Sequence, residues 1–252
     1  MSDTAAFRGS IIIVPTHDEV VSLRETVLGL ENACPPGDTA RIVLALAPFA
    51  TDACRNEAQR LTEAPLPIPV LIAQEKGGAF AREMQQYLRE QTDVSHTLIW
   101  TADKDAPAES AALMIRKAKE NPGAVVKLSR FLPGGSLPES KKGFINLRDS
   151  VFRSLVCKLY RSEQTDPHFG LTLFPMRDFV RFDLREKFMS FTIEYVLHFE
   201  RLGTRFIELP LRQQARTEGK STLSVFDKLR YFVPVFRLRF LPKRKLFRDG
   251  EV

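Results

Sequence analysis

Asp103 and Asp105 stand one residue apart in "LIWTADKDAPAES", residues 98–110, directly after an apolar run and just before Pro107. Two carboxylates so spaced at the end of a strand can converge on one hard divalent cation, which prefers oxygen ligands. Such a cation can bridge a diphosphate and stabilise it as a leaving group. The same residues have a structural alternative, in which Asp105 caps a helix opening near Pro107 and Asp103 is solvated. Other chemistry is weakly marked. His168 is isolated, which suits a hydrogen-bonding scaffold residue better than a metal ligand. The Gly-rich "EKGGAFA" lacks a full dinucleotide or Walker pattern and reads as a tight turn. No Ser/His/Asp or Cys/His order invites a hydrolase. Cys34, Cys54 and Cys157 are odd in number without metal-ligand spacing, as expected of reduced packing thiols in a cytosolic protein.

The elements that must carry Asp103 and Asp105 follow from hydrophobic periodicity. "SIIIV", "RIVLALA", "PIPVLIA" and "HTLIWT" are short β-rich runs. Stretches at helical spacing lie between them: "VVSLRETVLGLENA", "ACRNEAQRL" opened by Thr51-Asp52, and "GGAFAREMQQYLRE". Helix "PAESAALMIRKAKE" and strand "AVVKLS" continue the alternation, which predicts an α/β fold with a mainly parallel, doubly covered sheet. Ligands of such sheets bind beyond the carboxyl ends of the strands, where "TADKD" falls. A Gly/Pro loop (131–143), a basic amphipathic helix (144–160), strand "GLTLFP", helix "FTIEYVLHFERLG" and strand "TRFIELPL" follow.

Five motifs in a fixed order carry a resemblance: "IIIVPTHDE", "TADKDAPAE", "KLSRFLPGG", "DPHFGLTLFPMRDF" and "FTIEYVLHFERLGTRFIELPLRQQARTEGKSTLS". The chain resembles family 2 glycosyltransferases of the GT-A (nucleotide-diphospho-sugar transferase, Rossmann-like) fold, specifically polyprenyl-phosphate glycosyltransferases of the dolichyl-phosphate mannose synthase type. The resemblance implies an inverting, metal-dependent hexosyltransferase using Mg2+ or Mn2+. It would move a sugar from a GDP- or UDP-linked donor to an anionic acceptor, polyprenyl phosphate in the first instance. It further implies that Pro15, Thr16 and Glu19 line the nucleoside pocket. Ala102, Asp103 and Asp105 would lie along the diphosphate with both carboxylates on the metal, and Arg130 and Arg216 would meet phosphate oxygens. Lys220 and Ser221 complete the implied nucleotide-sugar set.

The chain also departs from the family's pattern. Thr101 replaces the first aspartate of the metal segment, and Asp105 stands where a glutamine is usual. "LALAPFATD" replaces the segment in which an aspartate reads the base, leaving Thr51-Asp52. His17 and Asp18 replace an aromatic and an asparagine, and Thr222 stands where a lysine follows Ser221. Two alternatives therefore stay open: transfer to a hydroxyl in cell-surface glycan synthesis, with Asp166 or Glu194 as base, and a degenerate fold acting as a binding or regulatory module.

Charge divides the chain into two units, a transferase domain at 1–222 and a C-terminal segment at 223–252. From Arg212 onward eleven Lys/Arg face four Asp/Glu, a net of +7 against +6 for the whole chain, so the rest is near −1. Phe, Tyr, Leu and Val interleave with Arg and Lys over 223–248, with Pro234 expected to break or kink the helix and Pro242 to end the next piece. Two short amphipathic helices in a membrane interface fit this pattern, the alternative being an apolar stripe packed on the domain. Without a span-length apolar run or a leader-like N-terminus, the expectation is a cytoplasmic protein, peripheral on the inner face of an anionic membrane. Nothing resembles a nucleic-acid readout motif.

Overall fold

Strand β1 (Ser10–Thr16) is apolar on both faces because both faces are covered. Ile12 and Val14 share one core with Leu23, Val27 and Leu30 of helix α1 (Val21–Ala33), Cys54 and Ala58 of α2 (Asp52–Thr62), and Met114 of α4 (Glu109–Glu120). Ile11 and Ile13 face a second core with Phe80 and Met84 of α3 (Ala79–Arg89) and Tyr195 and Phe199 of α7 (Phe191–Leu202). This computed structural model describes residues 6–34, 37–63, 68–72, 79–138, 144–186, 191–215, 232–248 and 250.

The remaining strands are β2 (Thr39–Leu46), β3 (Val70–Ile72), β4 (His96–Ile99), β5 (Val125–Ser129), β6 (Thr172–Pro175) and β7 (Phe206–Pro210). They form one seven-stranded sheet in the order β3-β2-β1-β4-β6-β5-β7. The first four runs anticipated as strands are adjacent and parallel. β6 runs antiparallel between β4 and β5, and β7 is parallel to β5 on the far edge.

The chain moves outward from β1 to β2 and β3, then returns to β4 on the opposite side of β1. That reversal makes a crevice at the carboxyl ends of β1 and β4. Pro15 helps to open it. Pairing with β4 ends at Ile13↔Ile99, followed by Trp100 N donating to Ile13 O at 2.9 Å. Backbone groups alternate along a strand, so the position of Pro15 faces β4, where proline has no N–H to offer.

Helix α5 (Phe144–Tyr160), the short α6 (Met176–Phe179) and α8 (Phe232–Phe240) complete the layers, with a 3-10 turn at Lys243–Leu246. Pro234 neither breaks nor ends α8. It lies within the helix, which runs on through it to Phe240. Val235, Leu238 and Leu246 pack in a third cluster with Phe152 and Val156 of α5 and Ile193 and Leu197 of α7. Tyr160 Oη donates to Val235 O at 2.6 Å, and Arg201 donates to Leu241 O at 2.6 Å. Residues 223–231 of the anticipated tail lie outside the described residues.

Candidate functional site

Two loops face each other across the crevice. After β1, Glu19 turns inward and is 8% exposed. Its Oε2 accepts from Thr16 Oγ1 at 2.9 Å, His17 N at 3.0 Å and Asp18 N at 3.2 Å. Burial alone would push the Glu19 pKa up, but the backbone donors, the His17 ring and Thr16 outweigh it and hold the carboxyl below its ordinary range. Pro15 and Thr16 end β1 at this point, so the three residues assigned to the nucleoside pocket share one strand exit. Ligand atoms of His17, Asp18 and Glu19 lie within 4.8 Å of one another, the His17 ring standing between Asp18 Oδ1 at 3.1 Å and Glu19 Oε2 at 3.6 Å.

After β4 the chain makes the "TADKD" turn. Thr26 Oγ1 of α1 donates to Ala102 O at 3.3 Å, fixing the start of the turn. Asp103 and Asp105 are each only 6% exposed. Lys104, between them, has φ 56°, the left-handed region that a non-glycine residue rarely enters. Its ammonium points away to Glu25 Oε2 at 2.6 Å. Such backbone strain persists only where surrounding contacts hold it, and it gathers at functional turns.

Asp105 is not the helix cap. The N-cap of α4 is Ala108, which makes no side-chain cap bond. Instead Asp105 Oδ1 accepts from Gln213 Nε2 at 2.9 Å, and Asp105 O accepts from Gln214 N at 3.0 Å. These bonds tie the turn to the chain leaving β7. Gln213 Oε1 and Thr101 Oγ1 are buried and, among the described residues, make no hydrogen bond. The turn and the chain leaving β7 thus carry oxygen ligands of the type Mg2+ or Mn2+ takes, the carboxylates of Asp103 and Asp105 and the neutral oxygens of Thr101 and Gln213.

Arg130 leaves β5 toward the same end of the sheet and is 6% exposed. Its Nε donates to Asp166 Oδ2 at 2.7 Å, Nη2 to Oδ1 at 2.8 Å, and its backbone N to Oδ2 at 3.1 Å. Phe169 lies against the guanidinium, 4.8 Å from its centre. Glu208 of β7 accepts from Thr165 N at 2.7 Å and Asp166 N at 3.0 Å, so the Asp166 loop is itself held. Beneath it, fully buried Lys127 donates to Gln164 Oε1 at 3.0 Å. Burial lowers its pKa, opposed by the carboxylates of Glu208 and Asp166.

Gly135 closes over this strand end. A Cβ there would meet Arg130 O and Ser129 O at 2.8 Å, so only glycine fits. Glu194 is buried elsewhere, accepting from Arg185 N at 2.9 Å and Glu186 N at 2.7 Å and paired with Arg237 of α8. His168 lies against Phe152, ring centroids 5.4 Å apart. Arg216, Lys220 and Ser221 lie outside the described residues, as do 75–78 of the Gly-rich turn. A cavity of about 470 Å³ between α1 and the β4–α4 loop includes Trp100, Lys104 and Gln214 in its lining but neither Asp103 nor Asp105, so it adjoins the crevice rather than being it.

Solved structures share this fold. Glucosyl-3-phosphoglycerate synthase from Mycobacterium tuberculosis, in complex with Mn2+, UDP and phosphoglyceric acid, is similar with a TM-score of 0.68 and 12% identity, covering 93% of this chain and 80% of that chain. The fold is GT-A. The same synthase with Mg2+ and UDP gives a TM-score of 0.67 at 12% identity, over 93% of this chain and 80% of that one. A crystal structure described as a mycobacterial protein gives 0.69 and 12%, over 93% and 76%. No protein-family model matches the sequence, and no curated protein matches it at a significant level. At the candidate site, Gln213 is the contact that sequence reasoning missed. It lies within the last quoted segment, 191–224, without a role there, and its approach to Asp105 singles it out.

Proposed function

We propose that this chain is an inverting, metal-dependent glycosyltransferase that moves a sugar from a UDP-sugar to a phosphate-bearing acceptor. The observation that carries the reading is the buried Asp103/Asp105 pair on a left-handed turn at the GT-A crevice. Asp103 and Asp105 would hold the cation, with Gln213 fixing the Asp105 carboxylate. When bound, the cation supplies positive charge that stabilises the diphosphate leaving group. The buried turn would keep water from the reacting groups, and the two loops would orient donor and acceptor.

In the transfer, an acceptor oxygen forms a bond to the anomeric carbon while the bond from that carbon to the UDP oxygen breaks, UDP leaving with the electron pair. A hydroxyl acceptor would also need a base to take its proton. Asp166 is committed to Arg130, and Glu194 to backbone donors at 185–186 and to Arg237. That favours an acceptor whose nucleophile is already ionised, a polyprenyl phosphate in the first instance. The neighbouring synthase, whose complexes hold phosphoglyceric acid, motivates a small phosphorylated acid as the comparison.

The C-terminal helix adds a second support for a lipid acceptor. One face of α8 is core, but Val233, Phe236 and Phe240 are 52%, 47% and 76% exposed. Exposed Arg239, Lys243, Arg244 and Lys245 lie beside or just after them. An aromatic stripe beside basic residues suits an anionic membrane interface, each basic residue being worth about 1 kcal/mol. Sugar transfer from UDP-sugars with Mn2+ should be measured on polyprenyl phosphate in anionic vesicles and on phosphoglyceric acid. Transfer to neither, with UDP failing to raise the melting temperature, would refute the enzyme reading and leave the binding-module alternative.

A further inference from the structure

The turn after β2 carries Ala47, Pro48, Phe49 and Ala50, and so holds no carboxylate with which to read the edge of a base. What it offers is an aromatic ring. Phe49 is 51% exposed at the carboxyl end of the sheet, beside the exit of β1. Its ring meets His17 edge-on, centroids 5.7 Å apart at an interplanar angle of 68°. A single exposed phenylalanine is ordinary on a protein surface. This one sits on a turn built to keep it still.

Ala50 N donates to Ala47 O at 2.9 Å, closing a β-turn with Pro48 at its second position, where a fixed φ is favoured. Ala47 N donates to Thr16 O at 3.0 Å and Thr51 N to His17 O at 2.7 Å, so the turn is fastened to the β1 exit on both sides of Phe49. Arg55 of α2 clasps it from below, donating to Pro48 O at 2.9 Å and Ala50 O at 3.2 Å. Asp18 is engaged with the His17 ring at 3.1 Å, and Asp52 belongs to the first turn of α2.

We propose that Phe49, with His17 packed against it, is the platform on which the nucleobase of the donor stacks, and that the base is recognised by its face rather than its edge. The inference rests on the nucleotide-sugar reading above. Every base has a π-face, so recognition of this kind tolerates different bases.

The test is calorimetry on the full chain with Mn2+, using UDP, GDP and inorganic pyrophosphate. Wild type should bind UDP and GDP within tenfold of each other. Phe49→Ala should weaken UDP roughly ten- to hundredfold, the usual loss for one stacked base. The same variant should leave pyrophosphate within about twofold, because that ligand has no base, and Phe49→Trp should retain UDP. The platform is overturned if Phe49→Ala binds UDP like wild type, or loses UDP and pyrophosphate alike. A preference for one base beyond tenfold overturns recognition by the face. If wild type binds no nucleotide at all, the functional reading itself fails, and the platform with it.

Discussion

Asp166→Ala should destabilise the protein by about 3–5 kcal/mol, the range for removing one member of a buried ion pair. Asp166 is 1% exposed and Arg130 6%, so little water can replace the lost partner. The variant strands a guanidinium that had a two-point contact at 2.7 and 2.8 Å, together with the backbone N–H of Arg130. At roughly 2–4 °C per kcal/mol for a chain of this size, the melting temperature should fall by about 6–20 °C. Arg130→Lys should fall between that variant and wild type, since an ammonium keeps the charge but not the fork. Removing both charges, Arg130→Met with Asp166→Leu, should recover most of the loss, giving a coupling of about 2 kcal/mol or more. Trp100, the one tryptophan and 1% exposed, reports unfolding by fluorescence in urea. Single variants that each cost under about 1 kcal/mol, or a double variant equal to their sum, would show that the pair does not hold this strand end.

Three further outcomes are expected. Gly135→Ala should cost about 1–3 kcal/mol by overpacking, because its Cβ meets two backbone carbonyls at 2.8 Å, and a melt within about 1 °C of wild type would contradict that contact. Burial lowers His96 and His198 to about 4 from 6.5, against hydrogen bonds to Pro122 O and Glu194 O that raise them. Both stay neutral in the fold while the unfolded chain takes up protons. Stability is therefore full above pH 6.5 and falls toward pH 4, by about 2 kcal/mol per histidine at pH 5; equal urea midpoints at pH 7.5 and 5 would refute it. Asp103→Ala should abolish Mn2+-dependent UDP binding, and Gln213→Leu should weaken Mn2+ roughly ten- to hundredfold in a spin-resonance titration; wild-type Mn2+ affinity in both would remove the cation from this turn.

The parts of the fold legible in the sequence are those set by local chemistry. Two-sided apolar runs gave the four adjacent parallel strands, and the helix anticipated at 144–160 is α5. Thr51 caps α2 as its type suggests, its Oγ1 accepting from Cys54 N at 3.2 Å. What escaped depends on contacts distant in sequence. Nothing in "GLTLFP" says that it enters antiparallel between β4 and β5, since an apolar run is indifferent to direction. The stripe in α8 has the same period whether it meets a core or a membrane, and the structure divides it: Val235 and Leu238 inward, Val233, Phe236 and Phe240 outward.

The same distinction separates the site's residue types from their roles. Asp103 and Asp105 were visible as carboxylates, but setting aside Asp105 as the helix cap required knowing that the N-cap of α4 is Ala108 and that Gln213, 108 residues away, reaches Asp105. Arg130 was visible as a charge after a strand, but its partner Asp166 lies 36 residues on. That pairing changes what the arginine can do. A guanidinium whose Nε and Nη2 already hold a carboxylate presents less of its fork to a phosphate, so it acts first by fixing the end of β5 and the Asp166 loop beside the crevice. Glu208 holds the same loop from β7, and Gln213, three residues beyond that strand, holds the "TADKD" turn. One short stretch, 208–213, thus fastens both walls of the crevice, so a shift of β7 should disturb the Asp166 loop and the "TADKD" turn together.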